Sequence, residues 1–400
     1  MHPNIRKLYA LNLLAGIVFW YPIEKLFMLH IGISPFGISI NATMFLIILV
    51  AFDVPAGVLA DHWKRKYTLQ IALIALVIAS IIGGFSHSLV AYLPMTVFLG
   101  GFVVLTQGTF QAMMYDSLVD TGHQHTYDKH QGLSYAAFLA GLGISSVVGG
   151  YMAHAYGFRA TYFVTAIVIT FAFLLACTLS EPNSHKLLAD KKLKAHIRSS
   201  FRQIIATRLL LQLSLLITAI SVLRSTQNEY AGLLFVALGM GAIPMGWGTA
   251  GKWLFSSLGQ TVAPKLGRQV LRYAPAFFIT FLLFSLIHNR WSLLFFYMAG
   301  FLYSVIYNQA EAAAQDVIPS EIRATTLSVF TFASNVILIP LSILFGWIAQ
   351  HSIFNAYLMI AVVGILYMIS WLIAGNKELR PIYHRKSNRR QAPSIETEIV

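Results

Sequence analysis

Apolar runs of about twenty residues follow one another along the whole chain, near 8–31, 36–60, 68–86, 89–118, 131–155, 158–180, 208–231, 235–263, 270–288, 291–316, 323–349 and 353–375. No other feature restricts the fold as strongly. About twenty apolar residues is the length at which a helix crosses a hydrocarbon core of about 30 Å, and inside that core a helix satisfies its own backbone. Composition agrees: 57% of the 400 residues are hydrophobic and only 11% charged, where a soluble domain carries about 25% charged residues. A soluble globule is excluded. The first run is not expected to be a cleavable leader, because it holds Glu24 and Lys25 and no small-residue cleavage site follows it. The single cysteine, Cys177, cannot form an intramolecular disulfide.

Short connections make successive helices antiparallel neighbours. The exception is the polar, basic stretch 181–207, which divides the twelve runs six and six. The expected organisation is an N-terminal six-helix bundle over 1–180, a cytoplasmic linker over 181–207, a C-terminal six-helix bundle over 208–375 and a basic tail over 376–400. The net charge is +13, from 28 Lys and Arg against 15 Asp and Glu. With the N-terminus inside, the bases gather on one side: Arg6 and Lys7, then Lys64, Arg65 and Lys66, Lys129, the linker, Lys265, Arg268, Arg272, Arg323 and the tail. The opposite loops hold only Arg159 and Arg290. This asymmetry predicts a multi-pass protein of the inner (cytoplasmic) membrane with both termini cytoplasmic. The bases set topology and, in the tail, face an anionic leaflet, so no nucleic-acid partner is expected.

The two halves repeat each other. "GVLADHWKRKYTL" from Gly57 matches "QTVAPKLGRQVL" from Gln260, pairing Arg65 with Arg268. "FQAMMYDSL" from Phe110 matches "AEAAAQDVI" from Ala310, pairing Gln111 with Glu311 and Asp116 with Asp316. Parallel six-helix repeats with a binding site between them are a transporter architecture. The pattern Gly57-x-Leu59-Ala60-Asp61-x-x-x-Arg65-Lys66-x-x-Leu69 resembles the loop between helices 2 and 3 of the major facilitator superfamily. "IPSEIRATTLS" (318–328), "YDSL" (115–118) and "SEP" (180–182) resemble phrases of its bacterial, drug-efflux-like members. The resemblance covers the whole chain. Two departures stand out: Lys64 occupies the place of a second glycine, and Ser145-Ser146 replaces the Gly-Pro of the antiporter signature in helix 5, although Gly141, Gly149 and Gly150 fit.

The resemblance implies an all-α polytopic membrane protein, with twelve transmembrane helices as two pseudo-symmetric six-helix bundles. It acts as a monomer on a small-molecule substrate, without a cofactor. It also implies a conformational latch. Gly57 admits a neighbouring helix, Asp61 docks against the N-terminus of helix 11 near Ser320, where the helix dipole is positive, and Arg65 pairs with Asp116 at the foot of helix 4. The alternative is a plain topology loop, which would not call for an acid at 61.

Charges inside a membrane are functional by default. Glu24 and Arg224 each lie 16 residues beyond the start of their runs, at Leu8 and Arg208, so both sit about 24 Å deep. Tyr21, Lys25, Gln227, Asn228 and Glu229 neighbour them; Lys25 and Glu229 could equally snorkel to the interface. Tyr303, Tyr307 and Glu311 recur every four residues on helix 10, and Gln107, Gln111 and Tyr115 do so on helix 4. By resemblance, helices 1, 4, 7 and 10 line the central cavity, so Tyr21, Glu24, Arg224, Gln107, Gln111, Tyr303 and Tyr307 are the expected substrate contacts. Glu311 and Glu24 are the expected proton carriers, with Arg224 holding Glu24 charged. Lys252 is a lone base on helix 8. The loop "HQHTYDKH" is too loosely spaced for a metal site.

The leading expectation is a secondary transporter working by alternating access, a proton-coupled antiporter of the multidrug-efflux kind exporting amphipathic or aromatic compounds. An uptake symporter for a sugar or organic acid, and a non-transporting receptor of the same fold, remain open. An enzyme is not expected: no nucleophile and base converge, and no phosphate-cradling loop is present in the sequence.

Overall fold

A computed structural model describes residues 3–62, 64–182, 204, 207–266, 274–318 and 323–373, with side chains except at 3, 53–62, 323–325, 327 and 328. Among the described residues the regular structure is entirely helical. Helix 1 is split into α1 (Pro3–Gly16), a 3-10 turn (Tyr21–Ile23) and α2 (Glu24–His30). Helices 2 and 3 are α3 (Pro35–His62) and α4 (Arg65–Phe85). Helix 4 is split into α5 (Leu89–Thr106) and α6 (Thr109–Val119), and helices 5 and 6 are α7 (Tyr127–Tyr156) and α8 (Phe158–Cys177). The second half holds α9 (Arg208–Ala237), α10 (Ala242–Leu266), α11 (Ala274–Leu286), α12 (Ser292–Gln315), α13 (Arg323–Ala349) and α14 (Ile353–Ile373).

Among the described residues, ten helical stretches are long and apolar enough to cross a membrane. The remaining two spans are α10, whose apolar run is diluted by glycines, serines and Lys252, and α11, which begins just after 267–273, outside the described residues. The twelve runs read from sequence thus correspond to twelve spans. The two splits were not legible there. α1 ends at Gly16, where the missing Cβ lets the Phe138 carbonyl of α7 come against the backbone. The Phe19 N–H, which the split frees, donates to Thr165 Oγ1 at 3.0 Å. In helix 4, Gln107 is extended and Gly108 takes φ +81°, a left-handed conformation natural to glycine. Gln107 therefore leaves the helical face that Gln111 and Tyr115 share.

Lipid tails are as apolar as leucine, so helices associate here by close packing rather than by exclusion from water. On α4, a Cβ at Gly83 would lie 2.6 Å from the Tyr162 ring of α8, and on α5 one at Gly100 would lie 2.6 Å from Ile48 Cγ2 of α3. In the second half the core is aromatic. Phe281 and Phe284 of α11 pack edge-on at 4.6 Å, and Phe284 meets Tyr357 of α14 at 5.0 Å.

The halves meet along two seams, α3 against α13 and α7 against α10. Tight backbone contacts in both lie at one end of the bundle, opposite the basic loops. A Cβ on Gly150 of α7 would stand 2.7 Å from the Ala242 carbonyl oxygen of α10, and one on Gly246 would stand 3.2 Å from Gly150 Cα. In the other seam Gly346 packs on Ser39, and Ser342 Oγ donates to the Ser39 carbonyl at 3.5 Å. We call this the far end, and the opposite one the basic end.

Candidate functional site

At the basic end the sequence singled out Gly57, Asp61, Arg65 and Asp116. Gly57 and Asp61 fall on the last turns of α3, where side chains are outside the described residues, as are residues 319–322 that would receive Asp61. Arg65 Nη1 and Asp116 Oδ2 stand 2.9 Å apart, both largely buried. A partner missed in the sequence is Glu181. Its two carboxylate oxygens accept the Arg65 and Lys66 backbone N–H groups at 2.9 and 3.0 Å, capping α4 with an acid at the positive end of its dipole. Asn4 Nδ2 joins this corner by donating to Ser117 Oγ at 3.0 Å and the Ser180 carbonyl at 2.8 Å.

Toward the far end lies a cavity of about 250 Å³, built mainly by the first half and edged by two residues of the second. Tyr21, Glu24, Lys25, Asn41 and Thr96 line it from the first half, and Glu229 and Trp253 from the second. Phe45, Phe102 and Phe138 make much of its apolar wall. The split in helix 1 builds this site: it sets Tyr21 in the 3-10 turn and Glu24 in the first turn of α2. Lys25 Nζ bonds Glu24 Oε2 at 3.0 Å and crosses to Glu229 Oε1 of the other half at 2.6 Å. Glu24 Oε1 also accepts from Tyr92 OH at 3.1 Å, and Tyr92 OH lies 3.0 Å from Tyr162 OH. Trp20 stacks flat on Tyr162, centroids 5.4 Å apart. A lysine held by two carboxylates, one from each half, is a charge lock across the interface.

Arg224 does not meet Glu24 as its depth suggested. It is buried on the far side of α9, where Nη1 donates to Gln227 Oε1 at 2.8 Å, Nη2 donates to Ser256 Oγ, and the guanidinium lies 5.8 Å from the Tyr303 ring centroid. Lys252 Nζ bonds Tyr21 OH at 3.3 Å and sits 4.7 Å from the Trp253 ring centroid. Tyr303 and Tyr307 adjoin each other along α12, centroids 5.4 Å apart. They are not among the residues lining the cavity, and neither are Gln107 and Gln111. Gln107 and Gln111 are exposed in the basic half of their span, and Glu311 is half-buried at similar height. Together they give the basic half of helices 4 and 10 exposed or half-buried polar side chains, a pattern that marks function rather than lipid contact. Asn41 and Thr96, which sequence reading passed over, bond each other on the cavity wall. Their signal was two polar residues inside apolar runs.

Removing one arm of the lock should loosen the far end. Glu229→Gln leaves Lys25 a single carboxylate, and several-fold faster labelling of a cysteine at Ala42 by an impermeant thiol reagent added on that side is expected, with Cys177 first replaced. Unchanged labelling would show that the glycine seams alone hold this end shut.

No curated protein matches the sequence. Solved structures match the fold closely. A point mutant of the nucleoside transporter NupG superposes with a TM-score of 0.75 at 13% identity, covering 92% of this chain and 99% of that one. A bacterial homologue of the human lysosomal transporter Spinster, inward-facing and occupied, gives 0.73 at 12% identity, covering 96% and 98%. A D-xylose-proton symporter gives 0.69 at 16% identity, covering 92% and 98%. Identities this low carry the fold alone. The sequence itself matches the family model of the Major Facilitator Superfamily over residues 8–340, which takes in both halves, the basic-end corner and the cavity. The chain belongs to the major facilitator superfamily.

Proposed function

We propose that this secondary transporter exports amphipathic or aromatic small molecules in exchange for protons, by alternating access. One observation carries the reading: a charge lock joins the two halves beside a cavity toward the far end, while polar side chains stand exposed in the basic half of the span. A site locked on one side, with exposed polar groups toward the other, fits one of the two states such a cycle needs. With the basic loops in the cytoplasm, as the charge asymmetry requires, the described state faces inward. The bundle then lies in the inner membrane with both termini inside, and a cysteine placed in 181–207 should react with a thiol reagent only when the reagent reaches the cytoplasmic face.

The apolar and aromatic wall formed by Phe45, Phe102, Phe138 and Trp253 supports an aromatic or amphipathic substrate. The half-buried Glu311 supports proton coupling. An uptake symporter is the second reading, favoured by the D-xylose-proton symporter among the structural relatives. Purified protein in proteoliposomes, given an imposed pH gradient and a chemically broad panel, tests both. Accumulation against the proton gradient supports export, accumulation along it supports uptake, and no movement of any compound leaves a receptor. The latch is part of the proposal. Asp61→Asn should cut transport at least tenfold with near-normal expression, since it removes the charge that selects one conformation. A wild-type rate would reduce the loop to a topology signal.

A further inference from the structure

We infer that the transported molecule is a monoanion, a carboxylic acid or similar acid on an apolar or aromatic body, and that Arg224 and Lys252 provide its counter-charge. The inference rests on the transport reading above and names its substrate class. It comes from charges behind the cavity wall, since neither Arg224 nor Lys252 lines the cavity itself. Among the described residues the far half of the membrane interior holds three cations, Lys25, Arg224 and Lys252, and two acids, Glu24 and Glu229. Lys25 takes both acids. Arg224 is 4% exposed and Lys252 3%, and no carboxylate among the described residues comes within 4.0 Å of either. Glu311 lies two turns beyond Tyr303 on α12, about 12 Å further toward the basic end. The set is short of one negative charge.

The fold makes no use of that surplus. The partners of the two cations are neutral: Gln227 and Ser256 for Arg224, Tyr21 for Lys252. Aromatic faces take the rest, Tyr303 under Arg224 and both Tyr21 and Trp253 beside Lys252. A ring face steadies a cation more weakly than a carboxylate does, and a buried charge without a counter-ion costs several kcal/mol. Such a charge is retained where a ligand supplies the partner. The structure also keeps room for the guanidinium, since a Cβ on Gly300 would lie 2.8 Å from Arg224 Nη1.

The position of Lys252 says how the anion arrives. Tyr21 and Trp253 form cavity wall on one side and cover Lys252 on the other. An acid head passing between them reaches Lys252, whose ammonium feels Arg224 and, at longer range, the lock residues Lys25 and Glu229. The body of the molecule stays among Phe45, Phe102 and Phe138. An amphipathic cation would add to the surplus and is excluded on the same ground.

The test uses full-length protein in nanodiscs and probes that share one body and differ in charge: 4-phenylbutyrate, 4-phenylbutanamide and 4-phenylbutylammonium, with naphthyl and octyl counterparts. On at least one body the carboxylate should raise the melting temperature by several degrees, and the amide and amine should not. Arg224→Met and Lys252→Met should each abolish that rise, and the ligand-free variants should melt at or above the wild type, because an uncompensated buried charge has been removed. If Arg224→Met fails to fold, Lys252→Met decides. No preference for the carboxylate on any body, or a ligand-free melting point several degrees below wild type in Lys252→Met, overturns the inference. Acids that bind through both cations but are never moved across a proteoliposome membrane would leave it standing and remove the transport reading. Movement of the amine as fast as the acid would do the reverse.

Discussion

Gly246→Leu is expected to lower transport about a hundredfold while leaving the chain folded and in the membrane. Gly246 of α10 faces Gly150 of α7 across the seam between the halves, backbone against backbone. A leucine there has no flexible side chain to push aside, because its Cβ meets the Ser146 carbonyl and Gly150 Cα. Overpacking costs about 1–3 kcal/mol even where neighbours can adjust. At the upper end of that range the far-closed state loses about a hundredfold in population relative to the far-open one. The cycle then stops for want of one of its two states. Each half keeps its internal packing, so folding is spared. Two measurements check this. Transport in proteoliposomes should vanish, and a cysteine at Ala42 should be labelled rapidly by an impermeant reagent from the far side. Gly150→Leu should behave the same way. A wild-type rate in either variant would mean that this seam need not close during transport.

The second large effect concerns coupling. In Glu311→Gln, accumulation driven by a pH gradient should fall at least tenfold, while substrate binding and exchange persist. A proton carrier must be charged in one state and neutral in another, and must be reached from each side in turn. Glu311 is the candidate. Its carboxylate accepts from Gln315 Nε2 at 3.4 Å, and among the described residues no cation pairs with it. Glu24 is differently placed, bonded to Lys25 at 3.0 Å and to Tyr92 at 3.1 Å. Glu24→Gln breaks one arm of the lock and is expected to disturb closure of the far end more than the proton gradient's effect. Gradient-driven accumulation that survives in Glu311→Gln and is lost in Glu24→Gln would exchange these roles. If both variants accumulate normally, the protein is a uniporter or is coupled elsewhere, with Asp53 and Asp116 the next acids to test.

Much of the scaffold can be read from the chain alone, because the bilayer leaves so few alternatives. Runs of about twenty apolar residues in hydrocarbon become helices, and the repeat of Arg65 in Arg268 and of Asp116 in Asp316 relates the halves. Counting residues from the start of a run also gives depth, which sets Glu24 and Arg224 toward the same end. Depth is one coordinate of three. It implied that the two would pair, whereas Glu24 turns to Lys25 and Tyr92, and Arg224 turns to Gln227 and Ser256. The direction a side chain takes around its helix axis depends on the break after Gly16, where another helix packs directly on the backbone. Lys25 and Glu229 show the same limit from the other side. Read alone, each could have reached for the membrane surface; together, at 2.6 Å, they close the interface. Periodicity along the chain fixes which residues are helical and how deep they lie. Which charges meet, and which are left without a counter-ion, is settled only when two bundles pack and bring together residues some two hundred positions apart.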